Sequence, residues 1–183
     1  MDKFFYALTV IGKDKKGIVA SVAKVLYEKG FSIEDSSSTL LKDQFSMILM
    51  LSNKNNIGII ELKKAFAHVR KDLSMSVSVR RIEHKEIDTL NNKKEENLFM
   101  VSVYGSDKPG IVYAISDALS KNNINIVDLR TRVTKAEKPV YVMILEIDAP
   151  ANMRKEDIKK ILDKASSSVG VDYSIREVET YEL

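Results

Sequence analysis

The sequence predicts two copies of one α+β unit joined by a polar tether. Three observations predict it: an ungapped internal repeat, short apolar runs alternating with helix-period stretches in each half, and a segment poor in apolar residues between the halves. When residues 12–38 are laid over 105–131, Gly12, Asp14, Lys15, Gly17, Ile18, Val19, Leu26, Ile33 and Asp35 meet Gly105, Asp107, Lys108, Gly110, Ile111, Val112, Leu119, Ile126 and Asp128. These are nine identities in 27 positions, where ordinary composition gives roughly two by chance. The register resumes at a shift of 96, where Met47-Ile48-Leu49 meets Met143-Ile144-Leu145 and Val79-Arg80 meets Ile175-Arg176. The three extra residues fall near Lys135–Pro139, which reads as a longer hairpin loop in the second copy. Self-similarity of this kind means one structural unit built twice.

Within a copy the elements follow in order. Phe4 to Ile11 is short, aromatic and β-branched, the pattern of an interior strand, and Leu98 to Tyr104 matches it. A turn at Gly12–Gly17 leads into Ile18, Val19, Val22, Val25 and Leu26 at helical spacing. Gly30 stands where a helix ends, and Asn122-Asn123 takes that place in the second copy. The following strand, Phe31 to Leu41, turns polar and fits a sheet edge. Lys42-Asp43-Gln44 makes a tight turn into the apolar run Phe45 to Leu51, a central strand. One helix is expected to carry Ile59, Leu62, Ala65, Phe66 and Val69, and Met75, Val77 and Val79 alternate in a last strand. The order is β-α-β-β-α-β, twice. With right-handed crossovers both helices cover one face of a four-stranded antiparallel sheet, the ferredoxin-like arrangement. The expected boundaries are a first domain at 1–83, a tether at 84–96 and a second domain at 97–183. The tether has two large aliphatics, Ile87 and Leu90, and cannot bury much surface.

Composition narrows the function. The chain has 183 residues, room for two domains of about 90. No cysteine is present, which excludes a thiol nucleophile and a cysteine-ligated metal. No apolar run is long enough for a membrane span, and the N-terminus lacks an apolar signal core, so no membrane role and a cytoplasmic location are expected. The net charge of +3 divides into 15 basic and 11 acidic residues over 1–90, and 14 and 15 over 91–183. Basic pairs such as Lys63-Lys64 and Arg80-Arg81 have acidic neighbours and read as solvated faces, so no direct nucleic-acid contact is expected. The central strands also lack the stacking aromatics of an RNA-recognition domain. His68 and His84 have no partner at ligand spacing, and the second copy has no histidine. No metal, no cofactor and no catalytic constellation is expected.

What remains is the first turn. Asp107-Lys108-Pro109-Gly110-Ile111-Val112 and Asp14-Lys15-Lys16-Gly17-Ile18-Val19 each open a helix, and the next strands start at Asn125-Ile126 and Ser32-Ile33. This pattern resembles the signature of ACT domains, Asp-x-Pro-Gly followed by two hydrophobic residues, a helix, and an Asn-Ile strand start. The second copy matches it; the first has Lys16 in place of the proline and Ser32 in place of the asparagine. A stand-alone pair of such domains is similar to the glycine cleavage system transcriptional repressor family. The resemblance implies a regulatory, non-enzymatic protein that binds a small amino acid. The residues agree with that implication. Gly17 and Gly110 let a ligand approach free N–H groups at a helix start, which favour a carboxylate. Asn125 offers a donor and an acceptor, and Asp35 or Asp128 can meet an ammonium. The plainer reading makes Asp14 and Asp107 helix caps and the glycines mere turn formers.

Three readings of function follow. The first is an amino-acid sensor that modulates a protein partner, such as a transcription regulator. The second is a ligand-free dimerisation module, and the third a detached regulatory subunit of a metabolic enzyme. The polar edges at 32–39 and 125–132 are expected to lie side by side, bringing both turns to one junction. The same edges can pair between two chains in a homodimer.

Overall fold

The computed structural model describes residues 3–83, 86, 97–135, 137 and 139–178. It divides the chain into two compact units, Met1–Asn92 and Lys93–Leu183. The segment assigned to the tether, 84–96, lies outside the described residues except for Glu86.

In the first unit β1 (Phe4–Lys13), α1 (Ile18–Glu28), β2 (Ser32–Leu41), β3 (Gln44–Asn53), α2 (Ile59–Ala65), α3 (Ala67–Lys71) and β4 (Ser76–Ile82) follow in order. The second unit repeats the plan with β5 (Asn97–Gly105), α4 (Ile111–Lys121), β6 (Asn125–Val133), β7 (Tyr141–Ala149), α5 (Lys155–Val169) and β8 (Val171–Glu177). The sheets run β2-β3-β1-β4 and β6-β7-β5-β8, antiparallel throughout. This is the ferredoxin-like arrangement, twice.

Each unit closes its own core. In the first, Tyr6, Leu8 and Val10 of β1 and Met47, Leu49 and Leu51 of β3 share the helix-facing side and pack with Ile18, Val22 and Leu26 of α1. In the second, Val101, Val103, Met143 and Leu145 meet Ile111, Ile115, Leu119, Ile158 and Leu162. The two apolar strands occupy the interior because each has a burying face and a partner on both edges. The Tyr6 hydroxyl is satisfied twice, donating to the Ile57 carbonyl and accepting from the Ile57 N–H, each at 2.9 Å.

The polar strands take the edges. Every residue of β2 is exposed, because the helices sit over the other three strands. Both edge strands carry a bulge at the same place, between Ile33 and Asp35 and between Ile126 and Asp128. The bulged Glu34 accepts hydrogen bonds from the Ser52 hydroxyl and from Lys3 Nζ (2.9 Å). These bonds, Ser52 first, hold its carboxyl below the usual range. The hairpin tips differ in length. β2 and β3 are joined by Lys42 and Asp43, with Lys42 in the left-handed region at φ 57. In the second unit Thr134 N–H donates to Val140 O and Val140 N–H to Thr134 Oγ1, each at 2.9 Å, so β6 and β7 are joined by a longer connection between Val133 and Tyr141.

The helix ends follow the expected chemistry. Gly30 at φ 71 lets Phe31 N–H reach back to Leu26 O (2.9 Å), which satisfies an orphan carbonyl. Asn123 at φ 57 does the same with Ile124 N–H and Leu119 O (3.1 Å). One expectation is corrected. The single helix expected over Ile59–Val69 is broken into α2 and α3 at Phe66, whose ψ of 14 interrupts the helical path. Phe66 itself is fully buried between Leu62 and Val69 in the core. Its counterpart α5 runs unbroken for 15 residues.

Candidate functional site

The turn before each first helix is built in the same way. Gly17 (φ 90, ψ 0) and Gly110 (φ 98, ψ −10) stand at the helix N-caps in the left-handed region, where any other residue is strained. A Cβ added at either glycine would meet nothing within 4 Å. The space over the turn is therefore open. No side chain caps either helix, so its first N–H groups face that space without a side-chain acceptor. With the helix dipole they form a place for a carboxylate.

The structure overturns the capping role for Asp14 and Asp107. Each lies three residues before the glycine that occupies the cap, and neither carboxylate makes a hydrogen bond to the first turn. Asp14 instead donates its backbone N–H to Asp43 O (2.8 Å), tying the turn to the β2–β3 hairpin tip. Lys108 extends past Gly170, with Nζ 3.5 Å from where a Cβ on that glycine would stand. Gly170 caps the C-terminal end of α5, so an ammonium there is favoured by the helix dipole. Lys15 is exposed at the same place in the first turn, and Pro109 is exposed before Gly110. Ile18 and Ile111 anchor the first turns in the cores, while Val19 and Val112 are exposed beside them.

The other candidate residues lie at the opposite end. Ser32, Ile33, Asn125 and Ile126 start the edge strands, beyond the C-terminal ends of α1 and α4. An 11-residue helix spans about 16 Å. Within one unit, then, the turn and the strand start do not form one site. Asn125 and Ile126 instead border a depression of about 400 Å³ with Tyr113, Ser116 and Ile124. Asp35 and Asp128 are exposed beyond the bulges. Asp35 accepts from Ser36 N–H (2.7 Å), and Asp128 pairs with Arg130 Nε (2.9 Å). A larger groove, about 530 Å³, lies between α4 and α5 over Ala114, Ala118 and Ala165, away from both the turn and the strand start.

One residue beside the second turn escaped the sequence reading. Tyr141 begins β7 opposite Gly105, two residues before Asp107. It is 9% exposed, and its hydroxyl is the one buried side-chain polar atom without a hydrogen-bond partner among the described residues. Burial pushes this phenol up, and the nearby Asp107 charge pushes it further. At a shift of 96 its counterpart is Phe45, so the repeat comparison itself shows an added hydroxyl at this place.

Among the described residues no group of three or more His, Asp or Glu side chains could hold a metal ion. No helix there is long and apolar enough to cross a membrane.

Comparison with known proteins matches the family model of the ACT domain over residues 6–80 and again over 97–176. A UPF0237 protein of Methanocaldococcus jannaschii is 35% identical over 81 residues, which is 44% of this chain and 87% of that protein. One from Streptococcus mutans is 32% identical over 72 residues, 39% of this chain and 82% of that one. Each relative is about one unit long. Among solved structures, a protein of unknown role from Galdieria sulphuraria covers 97% of this chain and 100% of its own, at 23% identity and a TM-score of 0.80. A candidate glycine cleavage system transcriptional repressor covers 98% and 100%, at 13% identity and 0.75. These two likenesses are of fold.

Proposed function

Since the chain belongs to the ACT-domain family in both of its units, whose domains are regulatory, amino-acid-binding modules, we propose that it is a non-enzymatic sensor of a small amino acid. The observation that carries this reading is the pair of uncapped helix starts behind Gly17 and Gly110, each open above the glycine. Such a start binds a carboxylate through N–H groups that the fold leaves unused.

The split of candidate residues within a unit points to a shared site. The turn sits at the hairpin end of the edge strand, as the bond from Asp14 N–H to Asp43 O requires. Antiparallel pairing of two edges puts the start of one beside the hairpin end of the other. Each turn would then face the other's strand start. When two copies pair through their second units, Gly110 of one would share a ligand with Asn125 of the other, so that the amino group meets a side-chain acceptor while the carboxylate sits on the helix start.

A ligand acts only if it binds one state better than another. Here the state that changes is edge pairing, and through it the affinity for a protein partner, either a transcription regulator or a metabolic enzyme in the cytoplasm. A dimerisation role without ligand is favoured by a different observation, the exposed Ile33, Leu40 and Leu41 along β2. A thermal-shift screen of the twenty amino acids separates the two. A ligand present at 100 times its dissociation constant is expected to add about 2.7 kcal/mol. Melting temperatures unmoved by all twenty favour the dimerisation role.

A further inference from the structure

We propose that Tyr141 contacts the ligand of the second unit, donating its hydroxyl to the carboxylate of an amino acid seated on the first turn of α4, so that this unit binds more tightly than the first. The inference rests on the sensor reading and deepens it. The hydroxyl is buried and unpartnered, and a buried polar group left unpaired costs stability. Native structures keep few such groups, and each calls for an account. Here the place supplies one. Tyr141 lies opposite Gly105, the last residue of β5, where the turn from Ser106 to Gly110 begins, and the Asp107 charge is felt at its oxygen. The first N–H groups of α4 open on the same turn without a side-chain cap. A carboxylate bound there brings the acceptor that the hydroxyl lacks. Residues 106–109 of that turn are exposed, and the Asp107 side chain has no hydrogen-bond partner among the described residues, so the turn is free to move, as a ligand oxygen reaching the buried hydroxyl requires.

The first unit makes the contrast. Phe45 stands at the matching position, packed against the core with no hydroxyl. The two turns are alike in backbone and differ in this donor. Sites built to hydrogen-bond a ligand lose much when the bond is withdrawn, because a buried group is left unpaired.

The test is Tyr141→Phe in the full chain, which keeps the ring and removes only the oxygen. Melting and calorimetric titration are run with each of the twenty amino acids on both proteins. The amino acid that binds the unaltered protein most tightly is expected to bind the variant about ten- to a hundredfold more weakly. The ligand-free variant is expected to melt at the same temperature or higher, since an unpaired polar group has been removed. Equal affinity in the two proteins overturns the role of Tyr141 and leaves the sensor reading standing. A ligand-free variant that melts lower overturns it too, because the hydroxyl then has a partner inside the protein. No binding to either protein overturns both the inference and the reading beneath it.

Discussion

Leu49→Ala is expected to destabilise the first unit by about 2–5 kcal/mol and to leave the second unit's own melting transition in place. Leu49 is fully buried on the interior strand β3, facing Leu8 across one ladder and Ser36 across the other. Truncation removes apolar contact and leaves a cavity that a rigid sheet cannot close. The confinement of the loss follows from the two cores, since every residue packed with Leu49 in its cluster belongs to the first unit. Leu145 is its counterpart, fully buried in the second core. Leu145→Ala should therefore lower the other transition. Differential scanning calorimetry reads both, and one merged transition that moves as a whole in each variant contradicts the separate cores.

Gly110→Val should abolish amino-acid binding at the second turn. At φ 98 a β-branched residue is strained by about 1–3 kcal/mol, which a unit with an intact core tolerates. The larger effect is on the ligand. A Cβ there meets no protein atom within 4 Å, so the new side chain projects into the space over the N–H groups. Gly58→Ala is a fitting control, for Gly58 is also open but has an ordinary φ of −65. Titration calorimetry should find binding lost in the first variant and kept in the second. Retained binding in Gly110→Val and in Gly17→Val together places the ligand elsewhere.

The repeat made most of the fold legible. Nine identities in one register oblige the two halves to share a plan, and apolar runs such as Phe45–Leu51 can be buried only in the sheet interior. The polar strands Ser32–Leu41 and Asn125–Val133 go to the edges for the converse reason. Glycine at 30 and asparagine at 123 announced the helix ends because the left-handed region admits few other residues. The break at Phe66 had no such marker. Neither proline nor glycine stands there, and the interruption comes with packing of a large ring in the core. The matching bulges at Glu34 and Val127 were hidden for a related reason, since a bulge is a property of pairing and not of one strand's pattern.

The candidate site was legible in part. The glycines were readable because a motif marks them, and their positive φ is a backbone demand. The aspartates looked like caps because aspartate favours that role, yet the cap position belongs to the glycine itself. Strand starts and turns looked adjacent in a motif, and a helix of about 16 Å separates them in space. Tyr141 was missed because tyrosine on an apolar strand reads as core. The repeat shows the added hydroxyl beside Phe45, but that it is buried and unpaired is a three-dimensional fact.

In the proposed complex one amino acid bridges a helix start and an edge-strand start. Amide chemical-shift mapping of the isotope-labelled protein, titrated with whichever of the twenty amino acids raises its melting temperature, tests this most directly. N–H signals of Ile18 and Val19, or of Ile111 and Val112, are expected to move in step with those of Ser32 and Ile33, or of Asn125 and Ile126. Shifts confined to the groove between α4 and α5, around Ala118 and Ala165, would contradict it.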